Sequence, residues 1–416
     1  MTDMKNSGIT WVGSIPKHWK VHPVYFYFGE RKNKNRFGSE TNLLSLSYGK
    51  IIRKDINTSE GLLPESFSTY NIVEAGDIII RPTDLQNDKK SLRTGLVRER
   101  GIITSAYIDL MPIKELDSRF FNYQLHAYDV IKVFYNMGNG VRQGLNYSEF
   151  SRLPVFEPPV EEQKRIADFL DSKCAEIDDM VIDIHSQIVK LEQYKRTIIT
   201  ETVTKGRNPH ASMRDSDIQW IGMMPSHWDC IRGKYILKYV QKPTREDDGV
   251  ITCFRDGEVT LRSNRREEGF TMADKEIGYQ GIDVGDLVVH GMDGFAGSIG
   301  ISDSRGKASP VLNVLETDQN KRYIMYFLRS MAYSDVFLAL ATGIRVRSCD
   351  LRWNKLAELF YPVPPLEEQN AIVEYIDAVI QKTNEVIAKK KEQLAVLDEY
   401  KKSLIYEYVT GKKEVV

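Results

Sequence analysis

From Pro158 to Thr204 apolar residues recur at alternating steps of four and three: Ile177, Val181, Ile184, Ile188, Leu191, Lys195, Ile198 and Thr202 mark the seam. That is the heptad period of a helix packed lengthwise on a partner helix. The stretch opens Pro158-Pro159-Val160-Glu161-Glu162-Gln163. The same opening returns 206 residues later as Pro364-Pro365-Leu366-Glu367-Glu368-Gln369, and the same shift carries the seam onto Thr383, Ile387, Lys390, Leu394, Leu397, Lys401, Leu404 and Tyr408. Neither helix can bury its stripe alone, so two copies in one chain predict an intramolecular coiled coil. The seam lysines allow two readings. Their stems can cover apolar surface while the amines reach water, which is the expectation; the sharper reading is that polar seam positions fix register.

The stretches ahead of the helices repeat too. Trp11-Val12-Gly13-Ser14-Ile15-Pro16-Lys17-His18-Trp19 returns 209 residues on as Trp220-Ile221-Gly222-Met223-Met224-Pro225-Ser226-His227-Trp228. The chain is therefore an internal duplication, jointed at Gly206 to His210. Between the markers lie short β-like runs: Leu43 to Tyr48, Gly76 to Ile80 and Ile102 to Met111, then a helical pattern over Phe120 to Phe134. The second half repeats the outline with Gly285-Asp286-Leu287-Val288-Val289 and a helix over Tyr323 to Leu340. Each globular part reads as α+β with an irregular, mostly antiparallel sheet. The expected boundaries are 1–157, 158–207, 208–363 and 364–416.

Composition removes options more than it adds them. With 416 residues, 42% hydrophobic and 28% charged, the chain reads as a globular protein of two or more domains. No apolar run suits a membrane span or a signal peptide, and Cys174, Cys230, Cys253 and Cys349 are scattered, so a reducing cytoplasm with free thiols and no metal is expected. A net charge of −1 means that any basic surface is local. Catalytic motifs are missing: no GxxxxGK[ST] phosphate loop, no GxSxG elbow, no [DNS]PP[YFW] run. Glu30-Arg31-Lys32 lacks the acidic partner of a nuclease, and Gly291, Gly294, Gly297 and Gly300 read as a turn-rich hairpin around Phe295. His18 and His227 suit packing and a local hydrogen bond, with Trp11, Trp19, Trp220 and Trp228 as core anchors.

What remains is clustered cation. Arg31, Lys32, Lys34 and Arg36 lie in six residues interleaved with Asn; Lys89, Lys90, Arg93, Arg98 and Arg100 follow, then Arg142 and Gln143 before the first long helix. The second half has Arg262, Arg265 and Arg266, then Arg305 and Lys307, then Arg345, Arg347 and Arg352. Arg, Lys, Asn and Gln read base edges and hold phosphates. One such cluster is ordinarily a solvated loop; recurrence in both halves of a near-neutral chain favours DNA.

The duplicated order, WxGxxPxHW heading each globular part and PPxEEQ opening each long helix, resembles the specificity subunit of type I restriction–modification systems, along essentially the whole chain. The resemblance implies two target-recognition domains, each reading half of a split double-stranded DNA site. It implies that the two long helices form an antiparallel coiled coil that separates the domains and docks two modification subunits. Those subunits would carry S-adenosylmethionine and methylate adenine, and motor–nuclease restriction subunits would join them. This chain would then be non-catalytic, with the cofactor in its partners. The alternative is a coiled-coil adaptor presenting two protein-binding domains, without DNA.

Overall fold

The computed structural model describes residues 3–57, 66–83, 85, 92–137, 144–265, 277–340 and 351–415. Contacts gather the chain into two units, residues 1–184 with 392–416, and residues 185–391. The long helices are α2 (Val160–Lys205) and α4 (Leu366–Val409); each globular part also has one helix of its own, α1 (Ser118–Val130) and α3 (Lys321–Tyr333). None of the described helices is long and apolar enough to cross a membrane.

Both long helices start just past their Pro-Pro pair, with two glutamates in the first turn facing the positive helix end. Both stop at a glycine in the left-handed region, Gly206 at φ 72° and Gly411 at φ 67°. Inside the first unit, Lys401 of α4 donates to Asp178 of α2 at 2.5 Å. Inside the second, Lys390 donates to Gln187 and Lys195 donates to Asn384, the latter at 2.7 Å. Within each unit the helix segments thus run antiparallel, and all three seam lysines place their amines on the opposite helix. Those cross-helix bonds suit the register reading, while the Lys195 bond stays exposed and so fits amines that reach water as well. The named seam positions are all buried or half-buried, while Met180, Ile182, Val189 and Val396 between them are exposed.

Each globular part has its own four-stranded sheet, with the same strand order in both. In the first unit the strands order as Phe28–Glu30, Ile108–Pro112, Ile78–Ile80, Thr94–Leu96; in the second as Lys238–Val240, Leu312–Glu316, Leu287–His290, Ile299–Ile301, every pair antiparallel. The first unit adds a sheet containing one parallel pairing, Ile102 to Leu43. The run expected as one strand over Ile102 to Met111 is two strands, Gly101–Ile103 and Ile108–Pro112, parted by a turn at Thr104–Tyr107. The helix expected to reach Leu340 breaks after Tyr333, where Asp335 takes φ 55°, and the one expected to reach Phe134 ends at Val130. The glycines at 291–300 close a hairpin, with Gly297 at φ 98° before strand Ile299–Ile301.

Each core takes residues from the start of one long helix and the end of the other. The first buries Trp19 and Phe120 with Ile166 and Leu170 of α2 and Leu404 and Val409 of α4. The second buries Trp228 and Tyr323 with Ile199 and Val203 of α2 and Ile372 and Ile376 of α4. Gly411 is where this closure is tightest: a Cβ there would lie 2.4 Å from Pro16 Cδ and 3.1 Å from Trp19. Gly411→Ala therefore combines left-handed strain with overpacking, about 2–4 kcal/mol in thermal unfolding. Gly206→Ala, whose Cβ meets Trp228 at 3.1 Å, costs less. Wild-type stability for Gly411→Ala would mean that the end of α4 does not seat on Pro16.

Candidate nucleic-acid interface

The two repeated motifs of each half meet. His18 Nε2 lies 2.8 Å from Glu162, and Trp19 Nε1 donates to the same carboxylate at 3.0 Å. In the second half His227 and Trp228 hold Glu368 at 2.8 and 3.1 Å. The next residue, Gln163 or Gln369, is buried. Its amide donates to Pro158 or Pro364 and its oxygen accepts from the backbone N–H of Asp117 or Asn320, the N-caps of α1 and α3. Arg119 then pairs with Asp168 and Asp171, and Arg322 with Asp377. So HW and EEQ form a socket fixing each globular part to a long helix, which gives both histidines a structural partner. Only the second tryptophan of each motif is a core anchor: Trp19 and Trp228 are 1% exposed, whereas Trp11 is 37% exposed and Trp220 half-buried. Trp11 and Trp220 thus depart from the anchor expectation, because the motif's first turn lies at the edge of the core.

The candidate cations divide sharply. Arg31 forks onto Asp77 at 2.7 and 3.1 Å, with Asp109 at 3.8 Å. The Asp109 carboxyl has no hydrogen-bond partner among the described residues, and burial, then the Asp77 charge, push it up to about 8 against the pull of Arg31. Lys242 does the same duty in the second half, gripping Asp286 at 2.7 and 2.8 Å. Asp77 and Asp286 follow Gly76 and Gly285, each at positive φ, and each caps its own turn by accepting from Glu74 or Asp283. Arg93 is fully buried, bonded to Tyr135 and to the carbonyls of Arg81 and Thr83. Arg305 forks onto Asp248 and reaches Asp283 at 2.6 Å. The guanidiniums of Arg31, Arg93 and Arg305, expected at the DNA, are thus engaged within the fold, by the buried Asp77 and Asp248, by the half-exposed Asp283 and by the carbonyls around Arg93.

Others remain near the surface. Lys32 is exposed beside Glu30, Lys34 donates to the Thr69 carbonyl, and Arg36 is exposed. Arg265 lies over the Phe254 ring at 4.2 Å and pairs with Asp256 and Glu258; Arg262 reaches Thr252, and Lys307 is half-buried on the strand Gly306–Ala308. Lys89, Lys90, Arg142, Gln143, Arg266, Arg345 and Arg347 lie outside the described residues. A sequence scan weighted to charge and amides passes over Phe37, which stands next to Arg36 and is 94% exposed. Among the described residues no group of three or more His, Cys, Asp or Glu could hold a metal.

Comparison with known proteins agrees with this architecture. Residues 281–396 match the type I restriction modification DNA specificity domain. The chain is 23% identical over 434 residues to a putative type I restriction enzyme MjaX specificity subunit of Methanocaldococcus jannaschii, covering 98% of this chain and 96% of that one. It is 24% identical over 335 residues to the type I restriction enzyme MjaVIII specificity subunit of the same organism, covering 76% and 75%. A chain from a solved structure on complex assembly and conformational transition of the type I R-M system superposes with a TM-score of 0.67 at 15% identity, over 96% of this chain and 99% of that one. At that identity the superposition speaks for the fold alone.

Proposed function

We propose that this chain, a type I restriction–modification specificity subunit by its resemblance in sequence and in fold, reads a bipartite DNA target without catalysing a reaction itself. Each half-site is read by one globular part, and the two long helices act as an antiparallel coiled coil to which modification subunits dock. S-adenosylmethionine is then the partners' cofactor, and restriction subunits join the same assembly. The observation that carries this reading is the repeated socket: the same Trp–Glu and Gln–N-cap bonds seat two globular parts whose surface cations differ. A constant mount with divergent fillings is what independent readers need. The adaptor alternative shares the mount but gives no reason for cations on both fillings.

Exchange of residues 217–363 for the matching segment of a relative tests it. Methylome sequencing of the strain is expected to show one half-site changed and the other kept. A change in both halves would refute independent readers, and loss of salt-dependent DNA binding by the intact chain in its complex would favour the adaptor.

A further inference from the structure

The turn after strand Phe28–Glu30 is unusual for what it spends on presenting two residues. Asn35 is 1% exposed; its amide donates to the Glu40 carbonyl at 2.9 Å and its oxygen accepts from the Glu40 N–H at 3.2 Å. Its backbone N–H donates to the Tyr70 carbonyl at 2.9 Å, and the Gly38 N–H closes on the Asn35 carbonyl at 3.0 Å with Gly38 at φ 61°. Lys34 ties the other side to Thr69 at 2.9 Å. The tip of this pinned turn is Arg36-Phe37, with Arg36 exposed and Phe37 at 94% exposure. A phenyl ring held in water on a turn pinned by a buried anchor keeps its whole apolar surface available for burial against a ligand. Lys34 and Arg36 flank it in sequence, while Lys32 is paired with Glu30 at 2.8 Å and Glu40 closes the far side of the turn. Apolar wedges flanked by cations are what groove-entering proteins press between base pairs, and a ring–base stack is sequence-tolerant.

We propose that Phe37 is a wedge that enters the duplex at the first half-site and stacks between two base pairs, with Arg36 on the adjacent phosphate. This rests on the DNA-reading function above and adds to it the residue and the mode of entry. The stretch that matches this turn by position does not repeat the device. The matching stretch of the second unit, Lys242-Pro243-Thr244-Arg245-Glu246-Asp247-Asp248, has no aromatic residue and three acids.

The test uses the full chain in complex with its modification subunits and duplexes bearing the methylated target, 2-aminopurine replacing an adenine at or beside the first half-site in one set and the second in another. Wild type is expected to raise 2-aminopurine emission at the first half-site, by unstacking. Phe37→Ala is expected to lose that rise and to bind about tenfold more weakly, with Phe37→Leu intermediate and the salt slope unchanged. Arg36→Ala is expected to reduce the slope by about one while keeping the emission. Phe37 lies outside the core, so unfolding midpoints stay at wild type and serve as the folding control. Undiminished affinity and emission for Phe37→Ala overturn the wedge alone. So does a loss confined to assembly with the modification subunits, which would make the tip a protein contact. A wild-type complex without salt-dependent binding overturns the DNA-reading function and the wedge with it.

Discussion

Trp228→Ala lowers the unfolding transition of residues 185–391 by roughly 6–20 °C. Removing a buried Trp costs about 3–5 kcal/mol, and a unit of this size shifts about 2–4 °C per kcal/mol. The ring is 1% exposed, in a core with Met224, Tyr323, Val203 and Ile372. Two further losses place it at the upper end. Its indole N–H leaves the Glu368 carboxylate, which is only 28% exposed and keeps His227 as its neighbour. The end of α2 loses its seat as well, because Gly206 lies against the Trp228 ring. Calorimetry measures the shift, and hydrogen exchange over Lys321–Tyr333 localises it. A shift under about 3 °C would show that the socket is not what closes this unit.

Ile387→Asp is the second large effect, about 2–4 kcal/mol from losing a buried isoleucine and placing a carboxylate in the seam, with Lys390 one turn away offsetting part of the charge burial. Ile387 is 5% exposed on α4. The heptad pattern alone points equally to Ile188, which it places mid-helix on the seam of α2. The structure has Ile188 half-buried, so Ile188→Asp leaves its charge partly in water and costs less. Urea unfolding of the two variants gives the order directly, and equal costs would contradict the burial difference between the two positions.

The parts of the fold legible in sequence are those written by periodicity and repetition. The seam needs only a period, and the PPxEEQ helix start needs only its proline pair and glutamates; both are local. The Gly-Asp strands at Gly76 and Gly285 were visible for the same reason. What escaped depends on residues far along the chain. That Glu162 receives Trp19 is set by a contact spanning 143 residues. That Arg31 and Arg305 are committed is set by Asp77 and Asp248, 46 and 57 residues away. A cluster of arginines looks the same in sequence whether its guanidiniums face water or buried carboxylates; in the first cluster Lys32, Lys34 and Arg36 stay near the surface while Arg31 turns inward. One signal was available: Asp77 and Asp286 recur at the same offset as the motifs, and a repeated acid beside a repeated strand asks for a repeated cation.

The first unit is sewn from both ends of the numbering, residues 1–184 and 392–416, whereas the second is one continuous stretch, 185–391. Synthesis is vectorial, and domains fold as they emerge. The second unit has all its parts once Lys391 has cleared the ribosome. The first must wait, its Trp19 core open on the side that Leu404, Ile405 and Val409 fill. Despite being made first, it is completed last, and it carries the burden of long loop closure and of exposed apolar surface in the interim. Chaperone binding to nascent chains should therefore concentrate on the earlier-made half. A proteolytic nick after Lys391 should release α4's last turns and undo the first unit while sparing the contiguous one.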